Sequence, residues 1–248
     1  MPYNDLLTCA LEAATAGAKI LETKFRGALI INTKSSEADY VTDADLASET
    51  AVRDVIKRLR PNDAISGEEF ATHQGEAAQY RWSIDPLDGT VNFARGLDHF
   101  AVSVAAIDIA SGEWVVGVVI APAIEDTYIA VRGQGAWRTR RGVKTTLTGP
   151  PKEREAKILA TGFSYLASKR VEEFNTLVEL MPRFVDVRRF GSAALDICHV
   201  AEGTIDAYYQ VDIKEHDWAA AMLIAEEAGL KIKRPTAEDD LALVNFEL

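Results

Sequence analysis

Apolar residues recur every three to four positions at the start of this chain: Leu7, Leu11, Ala14, Ala18, Leu21 and Phe25. That period predicts an amphipathic opening helix. The polar stretch after it, centred on Lys34, Ser35 and Ser36, reads as a hairpin or a mobile loop. Leu46, Val52, Ile56 and Leu59 restore the helical period, and Pro61 ends it, because proline has no N–H to continue the ladder. From Trp82 to about Trp137 the pattern turns β-rich. "HFAVSVAAIDI" and "WVVGVVIAP" flank "ASGE", a turn signal, so antiparallel strands are expected. "RGQGAW" (132–137) reads as a further tight turn, since a lone Gly-x-Gly is weak evidence for a nucleotide loop.

"TGPPKERE" (148–155) is a candidate boundary between halves. It divides residues 1–150, which carry most of the candidate ligands, from 151–248, which would complete one compact catalytic unit. Beyond it "KILATGF" reads as a strand and "KRVEEFNTLVELM" as a helix. "SAALDICHVAEG" is a helix closed by Gly203, "IDAYYQVD" a strand, and "DWAAAMLIAEEAG" a helix stopped at Gly229. Leu241, Leu243, Val244 and Phe246 alternate in part, as a last strand would. Helices and strands mix in both halves, which points to a layered α+β sandwich more than to simple βαβ alternation.

Composition narrows the class. At 248 residues with 48% hydrophobic and 26% charged positions, the chain has the make-up of a soluble globular protein. A net charge of −11 argues against nucleic acid, whose binding relies on clustered Lys and Arg. A small anionic substrate is compatible with that charge, because bound cations reverse the local field. No apolar run reaches the roughly 18–20 residues of a membrane helix. No secretory signal is evident at the start. Cys9 and Cys198 lack metal-ligand spacing, so reduced buried thiols in a cytoplasmic protein are expected.

The chemistry concentrates in "WSIDPLDGTVNF" (82–93), where Asp85 and Asp88 stand among apolar neighbours. Asp-Pro and Asp-Gly are ordinary turn dipeptides; the other reading is a buried pair of carboxylates around a cation. "SGEEF" places Glu68 and Glu69 just before the same region, and "EHDWAAA" places Asp217 at the start of an Ala-rich helix. Hard cations such as Mg²⁺ prefer such oxygen ligands. Thr42-x-x-Asp45 forms a capping box, and Asp45 is alternatively a polar partner for Thr90.

Taken together, Glu68-Glu69 after Gly67, "VTDAD", "WSIDPLDGTVNF", "RGQGAW", "RRFGSAALDICHVAEGTIDAYY" and Asp217 before "AA" closely resemble the inositol monophosphatase family. The resemblance runs from the opening helix to about Gly229. It implies a five-layered αβαβα sandwich, a homodimer, and a lithium-sensitive phosphomonoesterase that uses two to three Mg²⁺ ions. By the same resemblance Glu68, Asp85 and the Leu87 carbonyl hold the first ion. Asp85, Asp88 and Asp217 hold the second, and a looser third sits near Glu68. Gly89 and Thr90 offer backbone N–H groups to the phosphate. Thr90 and Asp45, with Glu68, activate the attacking water. Lys34 matches a basic loop position near the site, and Gly191, Ser192 and Ala193 match the segment lining the sugar.

Two positions depart from the family pattern. His216 precedes Asp217 where the family carries tryptophan, and is read as a neighbour of the site more than a ligand, since Mg²⁺ prefers oxygen. Gln210 stands where inositol-binding members carry glutamate; losing that charge is expected to admit a more anionic substrate. The expected reaction is hydrolysis of inositol monophosphate. Alternatives within the same chemistry are fructose 1,6-bisphosphate, 3′-phosphoadenosine 5′-phosphate, NADP and histidinol phosphate. A non-catalytic interaction protein is the alternative from another class, since folds do not fix functions.

Overall fold

The computed structural model describes residues 3–33 and 40–246. Its outermost layer is a pair of packed helices, α1 (Asn4–Lys24) and α2 (Asp43–Leu59). Between them in sequence, β1 (Ile31–Thr33) and β2 (Tyr40–Thr42) pair antiparallel with Thr33 opposite Tyr40. Lys34 and the rest of the polar stretch, 34–39, lie outside the described residues.

The second layer is a seven-stranded sheet in sequential order: β3 (Ala64–Gly67), β4 (Tyr80–Asp88), β5 (Ala101–Asp108), β6 (Glu113–Ala121), β7 (Asp126–Val131), β8 (Gly135–Arg140) and β9 (Val143–Thr146). A five-residue helix, α3 (Thr90–Ala94), follows β4 directly. The stretch 147–157 then leads to a five-stranded sheet built from β10 (Ile158–Thr161), β11 (Asp186–Arg188), β12 (Ala207–Val211), β13 (Ile232–Lys233) and β14 (Leu241–Val244). Helices α5 (Ala193–Glu202) and α6 (Glu215–Glu227) fill the space between the two sheets, and α4 (Ala167–Leu180) covers the outer face of the second. The order is helices, sheet, helices, sheet, helix: the five-layered αβαβα sandwich.

Burial explains the layering. α6 is apolar nearly all round, with Trp218 through Ala225 buried, as a helix between two sheets must be. Along α1 the buried line is Leu6, Ala10, Ala13, Ala14, Ala18 and Leu21, while Leu7 and Leu11 are only half-buried. The alanines let the helix approach the sheet closely, so the small residues mark the inner face. Leu46 and Leu59, expected to face inward, are 41% and 38% exposed; Val52 and Ile56 carry that face of α2. Among the described residues no helix is long and apolar enough to cross a membrane. Cys9 and Cys198 are buried and unpaired.

Candidate active site

Asp85 and Asp88 do not lie on a turn. Both belong to the last residues of β4, where pairing with β5 shifts register between Asp85 and Asp88. Pro86 has no N–H for the ladder, which is where the regular pairing breaks. The Leu87 N–H donates to Asp85 Oδ1 at 3.0 Å, and Ser48 on α2 donates to the Pro86 carbonyl at 2.8 Å. Gly89 follows with φ +95°; a Cβ there would meet His99 O at 2.9 Å, so glycine is required. α3 starts at once, with Thr90 as its first residue.

Asp88 is held from the far half of the chain. Ser192 Oγ and the Ala194 N–H donate to its Oδ2 at 2.6 and 2.7 Å, and the Ala193 N–H donates to Oδ1 at 3.2 Å. The carboxylate thus satisfies the open N–H groups at the start of α5. Asp217 sits in the first turn of α6, where its Oδ2 accepts the Lys214 N–H at 2.8 Å. Asp45 divides its oxygens: Oδ2 accepts the Thr42 N–H at 2.8 Å in the expected capping box, and Oδ1 accepts Thr90 Oγ1 at 3.0 Å. Capping and the Thr90 contact coexist. Thr90 Oγ1 also lies 3.0 Å from the Leu87 carbonyl.

These groups converge on one cavity of about 420 Å³, within the usual range for a small ligand. Glu68, Asp85, Leu87, Asp88, Gly89, Thr90 and Asp217 line its acidic end. Gly191, Ser192, Ala193, Gln210 and His216 also line the cavity, together with the charged side chains Arg189, Asp196, Asp212 and Lys214. Ser192 is fully buried, its hydroxyl committed to Asp88. Gln210 accepts the Tyr208 hydroxyl through Oε1. Asp45 lies behind Thr90, away from the cavity surface, and Lys34 lies outside the described residues.

The electrostatics call for a cation. Asp85 and Asp88 are 1% and 8% exposed. Burial, then the charges of Glu68, Asp88 and Asp217, hold the Asp85 carboxyl well above its ordinary value. Burial, then Asp217, pushes Asp88 up to about 7. Burial pushes Asp45 up to about 6. Carboxylates so placed cannot share their charge without a positive partner. Of the three groups among the described residues whose ligand atoms lie within 4.8 Å of one another, two are centred here, Glu68–Asp85–His216 and Asp85–Asp88–Asp217, and Asp85 belongs to both. The donors are almost all oxygens, which suits Mg²⁺; one imidazole in reach is the exception.

The comparisons agree with this geometry. The model of the inositol monophosphatase family matches residues 3–245. The chain belongs to the inositol monophosphatase family. It is 38% identical to "Nus factor SuhB" of Pasteurella multocida over 91% of this chain and 84% of that one. It is 40% identical to "Inositol-1-monophosphatase" of Mycobacterium bovis over 82% of this chain and 71% of that one. The solved structure of the extragenic suppressor protein suhB from Bartonella henselae superposes with a TM-score of 0.88 at 28% identity, covering 98% and 94% of the two chains.

Within that family frame, sequence reasoning missed Glu49. It is fully buried on α2, ion-paired with Arg53 at 2.7 Å, and its Oε2 accepts the Glu69 N–H at 2.7 Å. The carboxylate therefore anchors the loop that presents Glu68. Gly67 is glycine because a Cβ there would collide with the same Glu49 carboxylate. The only signal in the sequence was an acidic residue on the inward face of a helix. Glu49→Gln, which keeps one acceptor, is expected to weaken Mg²⁺ binding by about 10- to 100-fold. Calorimetric titration of Mg²⁺ checks this; unchanged affinity in a folded variant would leave Glu49 with a purely structural role.

Proposed function

We propose that the chain is a Mg²⁺-dependent phosphomonoesterase acting on inositol monophosphate or a similar small sugar phosphate by direct attack of water. The observation that carries this reading is one cavity holding two carboxylate clusters that share Asp85, next to a hydroxyl–carboxylate pair, Thr90 and Asp45. Water adds to phosphorus, the ester P–O bond breaks, and the products are an alcohol and inorganic phosphate. When bound, the cations supply Lewis-acid charge that acidifies water and offsets charge on the phosphoryl and leaving oxygens. Glu68, Asp85 and the Leu87 carbonyl would hold one ion; Asp85, Asp88 and Asp217 would hold another, with a looser third near Glu68.

The protein's own part is positioning and proton handling. Thr90 takes the water's proton as it passes its own to Asp45, whose carboxyl sits in the range where a base works near neutrality. The backbone at Gly89 and Thr90 meets the phosphate; Gly191, Ala193 and Gln210 meet the alcohol. Both halves of the chain form one unit in this reading, since Asp88 and the start of α5 complete each other. The reading includes a cytoplasmic homodimer. Support for self-association is an exposed apolar row on α4: Val171, Phe174 and Val178.

A relative named a Nus factor keeps the interaction-protein reading in play. Phosphate release separates the two, measured with Mg²⁺ and with or without lithium on inositol 1-phosphate, fructose 1,6-bisphosphate, 3′-phosphoadenosine 5′-phosphate, NADP and histidinol phosphate. Lithium-sensitive turnover of inositol 1-phosphate is the expected result. No release from any of the panel by folded, metal-loaded protein would overturn the enzymatic reading.

A further inference from the structure

The acidic end of the catalytic cavity has a basic counterpart. The cavity adjoins a wider basin of about 780 Å³, and the two share Phe163, Ser164, Tyr165, Leu166, Arg189 and Gly191 in their walls. Three arginines line the basin: Arg95 at the end of α3, Arg170 in the first turn of α4, and Arg189 between β11 and α5. Among the described residues no carboxylate lines it.

This grouping is out of character for the molecule. Twelve arginines form ion pairs with carboxylates: Arg26, Arg53, Arg58, Arg60, Arg81, Arg132, Arg138, Arg140, Arg141, Arg154, Arg188 and Arg234. Among the described residues Arg95, Arg170 and Arg189 form none, in a chain of net charge −11 with acids to spare. Arg189 feels the buried Asp196 carboxylate only at longer range, without an ion pair, and like charges brought together repel. Arg170 is also fixed in place, since its Nη1 donates to the Ser164 and Tyr165 carbonyls at 3.1 and 2.8 Å and leaves other N–H groups for a ligand. Arg189 stands at the doorway, folded over Gly191 so closely that a Cβ there would lie 2.6 Å from Nη1.

We propose that the basin is a subsite for a second phosphoryl group on the substrate, so that this chain favours small bisphosphates over monophosphates. The proposal rests on the phosphomonoesterase reading and names its substrate class. A phosphomonoester with its scissile group at Asp85 and Asp88 projects its body past Gly191, which places any further anion among the arginines. Guanidinium forks match phosphate oxygens in pairs, which a lysine does not do. A protein partner's carboxylates would satisfy the same charges. The shared walls favour substrate, since an occupant of the basin stands in the path to the metal cluster.

The test is kcat/KM for phosphate release by the full chain with Mg²⁺, on fructose 1,6-bisphosphate, 3′-phosphoadenosine 5′-phosphate and inositol 1-phosphate. The variants are Arg95→Gln and Arg170→Gln, with Arg141→Gln as a remote control, each checked for folding by its melting curve. The expected result is a wild-type preference for at least one bisphosphate. In Arg95→Gln and Arg170→Gln the bisphosphate-to-monophosphate ratio falls about 10-fold or more, mainly through KM, and stays constant in the control. The bisphosphate that wins identifies whether the second phosphate is carried on a sugar or a nucleoside. An unchanged ratio overturns the subsite while the phosphatase reading stands. So does a changed oligomeric state, read by light scattering, at constant ratio, which would assign the arginines to a protein contact. No release from any substrate would overturn the phosphatase reading and the subsite with it.

Discussion

Asp85→Asn is expected to lower phosphate release by on the order of 10³-fold or more and, in the same protein without metal, to raise stability. Asp85 is the one residue in both carboxylate clusters, so its loss weakens both sides of the site. An amide keeps the shape and the acceptor for the Leu87 N–H but removes the negative charge. In the metal-free protein that charge is a liability: Asp85 is buried beside Glu68, Asp88 and Asp217, which hold its carboxyl far above the ordinary range. Neutralising it should stabilise the metal-free fold by about 1–3 kcal/mol. Melting curves in chelator show the gain, and melting curves in Mg²⁺ show that wild type alone is strongly stabilised. At 100 times the dissociation constant a single ion adds about 2.7 kcal/mol. A variant that kept activity, or that lost stability in chelator, would contradict the metal-centre reading.

The same burial sets a pH dependence. Asp88 is pushed from 3.8 to about 7 in the folded chain. The unfolded chain therefore releases this proton near its ordinary value, whereas the folded chain keeps it until about 7. Metal-free protein should lose stability as pH rises through that window and level off above it. Bound Mg²⁺ holds both aspartates ionised, so with saturating Mg²⁺ the slope should flatten or reverse. Melting curves from pH 5 to 8, with chelator and with Mg²⁺, check the sign.

Asp45→Asn is expected to reduce kcat by about 10²- to 10⁴-fold while Mg²⁺ affinity changes little. Asp45 lies behind Thr90 and belongs to neither of these groups of candidate ligand atoms. Its contribution is Oδ1, which accepts the Thr90 hydroxyl at 3.0 Å. An asparagine oxygen can still accept that bond but cannot take up a proton. The capping contacts from Thr42 weaken at the same time, a cost of about 1 kcal/mol that leaves the fold intact. Thr90→Val should reproduce the kinetic loss without touching the cap. In wild type, activity should rise with pH along an acid limb at or below about 6, because ionised Asp45 is the active form and nearby cations favour it. A loss of Mg²⁺ affinity as large as the loss of kcat would instead make Asp45 a metal-site residue.

Much of this was legible because it is local. Asp85, Leu87, Asp88, Gly89 and Thr90 are consecutive or nearly so, and backbone geometry alone keeps them within one turn's reach. Thr42 and Asp45 form their box by the same logic. The second half was also readable as elements, from "KILATGF" to the Gly203 and Gly229 stops, whose φ values are +84° and +87°. The failures have one cause. Leu46 and Leu59 fit a helical period but face solvent, and α1 buries its alanines in place of Leu7 and Leu11, because the neighbouring layer decides which face goes inward. Asp85-Pro86 looked like a turn because the bulge that bends β4 exists only where β5 pairs with it.

The sequence by itself determined the acidic side chains of the candidate site, the spacing of Asp85 and Asp88 along β4, and the family to which the chain belongs. Only the tertiary structure decided how those side chains are held. Ser192 reaches Asp88 across 104 positions, and Glu49 steadies the loop of Glu68 across 20. Arg95, Arg170 and Arg189 meet in one basin from three separate segments. Spacing along a strand or helix is set by bond geometry and can be read from the letters. Contacts between layers are set by how side chains pack across an interface, which no local pattern encodes.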